Sequence, residues 1–135
     1  MRVFLDTNVL VSAFASRGLC AEVFELVLLD HELILGRNVL RELEKALPKK
    51  VKLPVVRSTE IIAFVSSEAT QIVDKAEPAI VNVDAADALV LGEALASHAD
   101  LFVTGDAALL HLAAIGALEI VSPRRFWEIL RAGTV

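Results

Sequence analysis

Val3-Phe4-Leu5-Asp6-Thr7-Asn8-Val9-Leu10 is the stretch in which the fold is decided. Three apolar residues stop at an aspartate, and the spacing then turns helical through Val9, Leu10 and Phe14, so a strand feeds directly into a helix. The same unit returns late in the chain, where Leu101-Phe102-Val103-Thr104 is β-rich, Gly105-Asp106 turns the chain, and Ala107 to Ile115 reads as a helix ended by Gly116. Working outward, strands fit Glu32 to Leu35 and Leu118 to Val121, with a shorter one near Ile80 to Val83. Helices are expected over Ala21 to Leu29, Asn38 to Leu47, Ser58 to Asp74, Asp84 to His98 and Pro123 to Arg131. Ser122 suits the N-cap of the last, Pro123 its first turn and Gly133 its far end. Pro48 to Pro54, PKKVKLP, reads as a loop.

Strands alternating with helices close in the right-handed sense into a parallel sheet covered on both faces. The strands are continuously apolar, as strands buried on both sides are. The expectation is one α/β domain over residues 1–135, a three-layer α/β/α sandwich with a mainly parallel central sheet. Ligands of such sheets bind outside the carboxyl ends of the strands, where strand order reverses. Asp6 and Asp106 each follow a strand, so both belong on that edge.

Composition narrows the function. A chain of 135 residues, 56% hydrophobic and 23% charged, has the core of one globular domain and excludes a disordered chain or a multidomain assembly. Its uncharged stretches, such as Ala107 to Leu118, fall short of the ~20 apolar residues of a membrane helix. Asp6 interrupts the apolar run that a signal peptide requires, so the expected location is the cytoplasm. Cys20 has no second cysteine to pair with, and His31, His98 and His111 are too scattered for a zinc site. No GxGxxG or GxxxxGK[ST] occurs, and Thr7, Ser12, Ser16 and Cys20 lack the histidine pattern of a nucleophilic triad.

The net charge of -5 is unevenly spread. Arg37 to Arg57 carries +5, whereas Glu60 to Asp106 carries -8. Cations that hold phosphates beside carboxylates that hold a metal are what an enzyme acting on a polyanion requires, although both segments are equally consistent with solvated surface. Each acid has two readings. Asp6, Asp84 and Asp106 suit helix N-caps, Asp87 suits a first helical turn, and Glu42 lies on the shoulder of an amphipathic helix. Asp87 is the better ligand of its pair, with Asp84 as cap or outer support. Acids at several strand and helix mouths that the fold brings together repel one another until a hard cation neutralises them, which points to Mg²⁺ or Mn²⁺. Phe126 and Trp127, flanked by Arg124 and Arg125, suit either a buried helix face or base stacking.

Asp6-Thr7-Asn8, Glu42-Leu43-Glu44, Asp87 and Thr104-Gly105-Asp106, in this order and spacing, resemble the PIN domain, in particular the small prokaryotic VapC-like toxins. Related sequences often carry a DPDD-like stretch where this one has Asp84-Ala85-Ala86-Asp87, so the third acid is kept and only the turn before it differs. The resemblance implies that Asp6, Glu42, Asp87 and Asp106 bind one or two divalent ions, supported by Thr7, Asn8 and Thr104. It implies a ribonuclease and toxin component, with RNA as substrate and a cognate antitoxin covering the acid cleft. Arg37, Arg41, Lys45, Lys49 and Lys50 are the candidates for RNA phosphate contacts. The apolar surplus suggests a homodimer or higher oligomer. Two other readings stand beside this one. The first is a catalytically inactive PIN-like module that binds nucleic acid or protein, and the second is an aspartate-nucleophile phosphatase, for which Asn8 stands where a second acid belongs.

Overall fold

The computed structural model describes residues 1–133. Its elements are β1 (Arg2–Leu5), α1 (Thr7–Ala15), α2 (Leu19–Asp30), β2 (Glu32–Gly36), α3 (Arg37–Lys50), α4 (Val55–Glu68), β3 (Gln71–Val73), α5 (Ala85–Ala96), β4 (Leu101–Val103), α6 (Ala107–Leu112), β5 (Ala114–Ile115), β6 (Leu118–Val121) and α7 (Pro123–Ala132). The sheet runs β3-β2-β1-β4-β6-β5, parallel throughout except for β5. Helices cover both faces, giving the three-layer α/β/α architecture that the strand and helix alternation predicts.

β1 is the hinge of this topology. It pairs with β2 on one side and β4 on the other, with Val3 opposite Leu33 and Leu101. Strand order reverses there, so the carboxyl ends of β1 and β4 open side by side. Phe4 and Phe102, both fully buried, stack across this pair with ring centroids 5.4 Å apart. The Asp6 amide donates to the Val103 carbonyl at 3.0 Å, which extends the ladder to the site's edge.

Four local expectations are corrected. No strand forms at Ile80 to Val83; Ile80 stands wholly exposed while Val81 and Val83 pack on the core, and the Val83 amide donates to the Val81 carbonyl at 3.0 Å, a tight local turn in place of a ladder bond. The strand lies instead at Gln71–Val73, inside the expected Ser58 to Asp74 helix, which runs from Val55 and ends at Glu68. There the Thr70 amide donates to the Leu33 carbonyl at 2.8 Å and draws β-branched Ile72 and Val73 alongside β2. The expected loop at Pro48 is helix as far as Lys50, because proline removes only the bond to Glu44, whose exposed position lets water replace it. Finally, α6 stops at Leu112. Ala113 and Gly116 take positive φ, and Ala114–Ile115 folds back antiparallel on β6.

Candidate active site

Asp6 enters the site as the N-cap of α1, its Oδ1 accepting the Thr7 amide at 2.8 Å. Its Oδ2 accepts the fully buried Thr104 hydroxyl at 2.8 Å and the Asn8 side-chain amide at 3.1 Å. Thr104, its one hydrogen committed to Asp6, accepts the Asn8 amide at 3.2 Å and the backbone N–H of Asp106 at 3.0 Å. Asn8 closes the circuit by accepting the Gly105 amide at 2.8 Å. The turns after β1 and β4 are thereby locked together, and each residue of both motifs has a distinct task.

The other acids arrive on separate elements. Glu42 projects from α3 and accepts the Thr7 hydroxyl at 2.6 Å on Oε2. Asp84 caps α5 by accepting the Asp87 amide at 2.8 Å, which leaves Asp87 on the first turn facing the cleft. Asp106 caps α6 through the Ala108 amide at 2.8 Å. Asp6, Glu42, Asp87 and Asp106 line one cleft of about 630 Å³, with Thr7, Asn8, Lys45, Lys49 and Lys50 among its other walls. Thr104 lies behind Asp6 and Asp84 behind Asp87, outside the lining.

The basic candidates divide by helix geometry. At about 100° per residue, Lys45, Lys49 and Lys50 fall within about 80° of Glu42 around α3, whereas Arg41 and Arg37 fall about 100° and 140° away. Arg37 accordingly pairs with Asp74 at 3.1 Å, and Arg41 lines a separate groove with Pro48, Val55 and Thr59. Neither lines the acid cleft. Phe126 is fully buried, and Arg131 lies 4.6 Å over the Trp127 ring, so that pair serves helix packing in this structure. An acid counted only in the charge balance, Glu93, is 1% exposed and accepts from Asn38 at the start of α3. Its one sequence signal is a lone acid within the otherwise apolar Ala88 to Ala96 run.

Burial pushes the Asp6 carboxyl above its ordinary range, against the hydrogen bonds from Thr104, Thr7 and Asn8 and together with repulsion from Glu42. Asp87 is raised to about 6, first by desolvation and then by Asp84, Asp106 and Asp6. One electrostatic field therefore couples acids that lie far apart in sequence. Hard oxygen donors in mutual repulsion are the donor set of a divalent cation, so donor type fits Mg²⁺ or Mn²⁺. Among the described residues, no three acids, histidines or cysteines converge within coordination distance of one point, so the fit is of donor chemistry and shared field.

A pH prediction follows from Asp87. An acid whose folded pKa is raised stabilises the fold below its unfolded value of 3.8, and that contribution is lost as pH rises through about 6. In chelator, Asp87→Asn is expected to melt above wild type at about pH 7.5, with the gap closing towards about pH 4. Paired melting curves across that range check it; a gap that widens on acidification gives the opposite sign.

The fold and the carboxylate-lined switch point define a small α/β protein of the class that carries acid clusters at a parallel sheet edge. The PIN domain matches over residues 2–108, and the chain belongs to the PIN domain family. PIN domains are generally nucleases that use divalent metals. No curated protein matches the chain. Among solved structures, VapBC2 from Rickettsia felis, bound to a DNA fragment from their promoter, is similar at TM-score 0.67 and 18% identity, covering 90% of this chain and 98% of that one. VapBC-1 from nontypeable Haemophilus influenzae is similar at TM-score 0.67 and 16% identity, covering 92% and 99%. At such identities the likeness is one of fold. Among the described residues, no helix is long and apolar enough to cross a membrane.

Proposed function

We propose that this protein is an Mg²⁺- or Mn²⁺-dependent endoribonuclease that hydrolyses RNA phosphodiester bonds as the toxin of a type II toxin–antitoxin pair. The observation that carries the reading is one cleft in which four carboxylates, delivered by separate elements, face a wall of lysines. Asp6, Glu42, Asp87 and Asp106 are the residues that would hold the ion, which supplies a Lewis acid for the phosphoryl oxygen and acidifies water. The protein orients everything else. Thr104 and Asn8 fix the Asp6 carboxylate, and Thr7 holds Glu42 by one oxygen, leaving the other to align the attacking water and take its proton. Lys45, Lys49 and Lys50 hold the RNA backbone.

Asn8 ties Asp6 to the β4 turn, so no second acid stands there for aspartyl-phosphate chemistry. The VapBC fold likeness supports a cognate antitoxin as partner; the reading seats it over the acid cleft, where a basic side chain would offset the carboxylates. Exposed Leu29, Val55, Val56 and Ile80 are apolar surface available to a homodimer or higher oligomer.

The test is purified wild-type protein on tRNA, rRNA fragments and single-stranded RNA with Mg²⁺, Mn²⁺ or chelator, beside Asp6→Asn prepared identically. Metal-dependent cleavage absent from the variant supports the reading. No cleavage on any substrate, with no metal-dependent melting shift, would overturn the reading in favour of the inactive binding module.

The lysine wall has its own expected outcome. In an Asp6→Asn background that leaves RNA intact, replacing Lys45, Lys49 and Lys50 by alanine should reduce the slope of log affinity against log salt by about 2, from three contacts at roughly 0.7 each. Arg37→Ala should leave the slope unchanged. Equal slopes for the triple variant and its parent would remove the lysines from the RNA path.

A further inference from the structure

Helix α3 carries Glu42 yet starts without a cap of its own. Gly36 stands at its N-cap and has no side chain to offer the free amides of the first turn. The acceptor comes from another helix. Glu93, at the start of the last turn of α5, takes the Asn38 backbone N–H at 3.1 Å and the Asn38 side-chain amide at 3.2 Å, both on Oε2. A carboxylate there meets the positive end of the α3 dipole. The carboxyl is seated against the backbone so closely that a Cβ on residue 36 would lie 2.9 Å from Oε2 and nearer still to Oε1. Gly36 is thus the room that Glu93 occupies.

This is a costly way to cap a helix. With Glu93 gone, a serine or asparagine at position 36 would supply the same bond locally, from the residue that already stands at the N-cap. Glu93 instead buries a carboxyl group, whose pKa that burial raises, and its Oε1 is the buried side-chain atom that finds no hydrogen-bond partner among the described residues. What the local cap cannot supply is a link between α3 and α5. Asn38 and Glu42 are four residues apart and lie one above the other on the same side of α3. α5 carries Asp87 on its first turn. Glu42 is also among the charges that raise the Glu93 pKa, so the two acids share a field across the junction.

We propose that Glu93 is a positioning residue of the acid cleft: through Asn38 it fixes the rotation and depth of α3, and hence the place of Glu42 relative to Asp87. The inference rests on the nuclease reading, since it assigns Glu93 a part in presenting two of that site's acids. Glu93 touches neither RNA nor ion.

The experiment compares wild type, Glu93→Gln, Glu93→Leu and Glu93→Ala by three measurements: amide hydrogen exchange at Asn38 in the metal-free protein, Mn²⁺ affinity, and single-turnover RNA cleavage. Leucine fills the space without an acceptor and alanine leaves it empty, so the fold is challenged in two different ways. Glutamine keeps an acceptor in place. The expected result for leucine and alanine is faster Asn38 exchange with Mn²⁺ affinity and cleavage rate each lower by about 10–100-fold, at unchanged RNA affinity, the range seen when outer supports of metal sites are removed. Glutamine is expected to rescue all three to within about threefold, since a neutral side chain still caps. Unchanged Asn38 exchange overturns the proposal because the tie does not exist. Faster exchange and a lowered melting temperature, with normal Mn²⁺ affinity and cleavage, also overturn it, because Glu93 is then only a structural cap. A wild-type protein that neither binds Mn²⁺ nor cuts RNA overturns the nuclease reading and the positioning role with it, and the wild-type control separates that failure from the other two.

Discussion

Asp6→Asn is expected to reduce RNA cleavage by about 10³-fold, corresponding to roughly 4 kcal/mol of lost charge stabilisation at about 1.4 kcal/mol per decade. The fold should survive. Asparagine caps helices as well as aspartate does, and its side-chain oxygen replaces Oδ1 in the bond from the Thr7 amide. On the other side, the new amide group faces the Thr104 hydroxyl and the Asn8 amide, both of which donate to the carboxylate in the native protein. Losing those bonds costs about 1–2 kcal/mol, offset by relief of a buried charge that Glu42 repels. The melting temperature should therefore move by a few degrees while the rate collapses. Full-rate cleavage by the variant, with matching circular dichroism, would remove Asp6 from the chemistry.

The second large effect is on stability. Gly92 lies in α5, and a Cβ there would press into the Glu77 carbonyl group, 2.9 Å from its carbon, and lie 3.2 Å from Pro78 Cα. All of these are backbone atoms, so no side chain can swing away. Overpacking of this kind costs about 1–3 kcal/mol and occasionally more, against about 1 kcal/mol that alanine gains over glycine in a helix. Here the backbone must yield, which places the cost at the upper end and the expected fall in melting temperature at roughly 8 °C. The displaced segment is held to α5 by the Ala79 amide on the Ala88 carbonyl, at 2.8 Å, and leads directly into Asp84 and Asp87. Gly92→Ala should thus weaken Mn²⁺ binding as well. Gly18→Ala, whose new Cβ meets nothing closer than Ser16 Oγ at 3.8 Å, is the control expected to leave Mn²⁺ binding unchanged and to lower the melting temperature only slightly, by the weaker capping of α2.

These two positions show what was legible in the sequence. Asp6 announces itself, because an acid at the end of an apolar strand is a local pattern and the α/β alternation then places it on the sheet edge beside Asp106. Glu42 and Lys45 are readable too, both lying within the expected Asn38 to Leu47 helix, whereas Lys49 and Lys50 fall in the expected Pro48 to Pro54 loop and are sorted from Arg37 and Arg41 only by the continuation of α3 to Lys50. Gly92 and Glu93 are different. Their roles depend on which backbone crosses α5, and nothing within ten residues of either encodes that crossing. The strand at Gln71–Val73 was hidden for a related reason: three residues carry too little periodicity, and their pairing with β2 is decided by Leu33, far away in the chain. Ala114–Ile115 is shorter still and exists only through its turn back on β6.

The double duty of the cleft aspartates bears on how such a protein would decay over generations. Asp6 and Asp106 each begin a helix, and Asp6 also satisfies a wholly buried hydroxyl, so a lineage that no longer cuts RNA still has reason to retain them. Glu42 starts no helix and holds one bond, from Thr7, worth about 1 kcal/mol. Asp87 holds less still, since it starts no helix and its charge destabilises the metal-free fold at neutral pH, so Asp87 and then Glu42 are the acids that drift would erase first once cleavage ceased to matter. In related chains, the residues at those two helical positions are better witnesses to a working enzyme than the counterparts of Asp6 and Asp106.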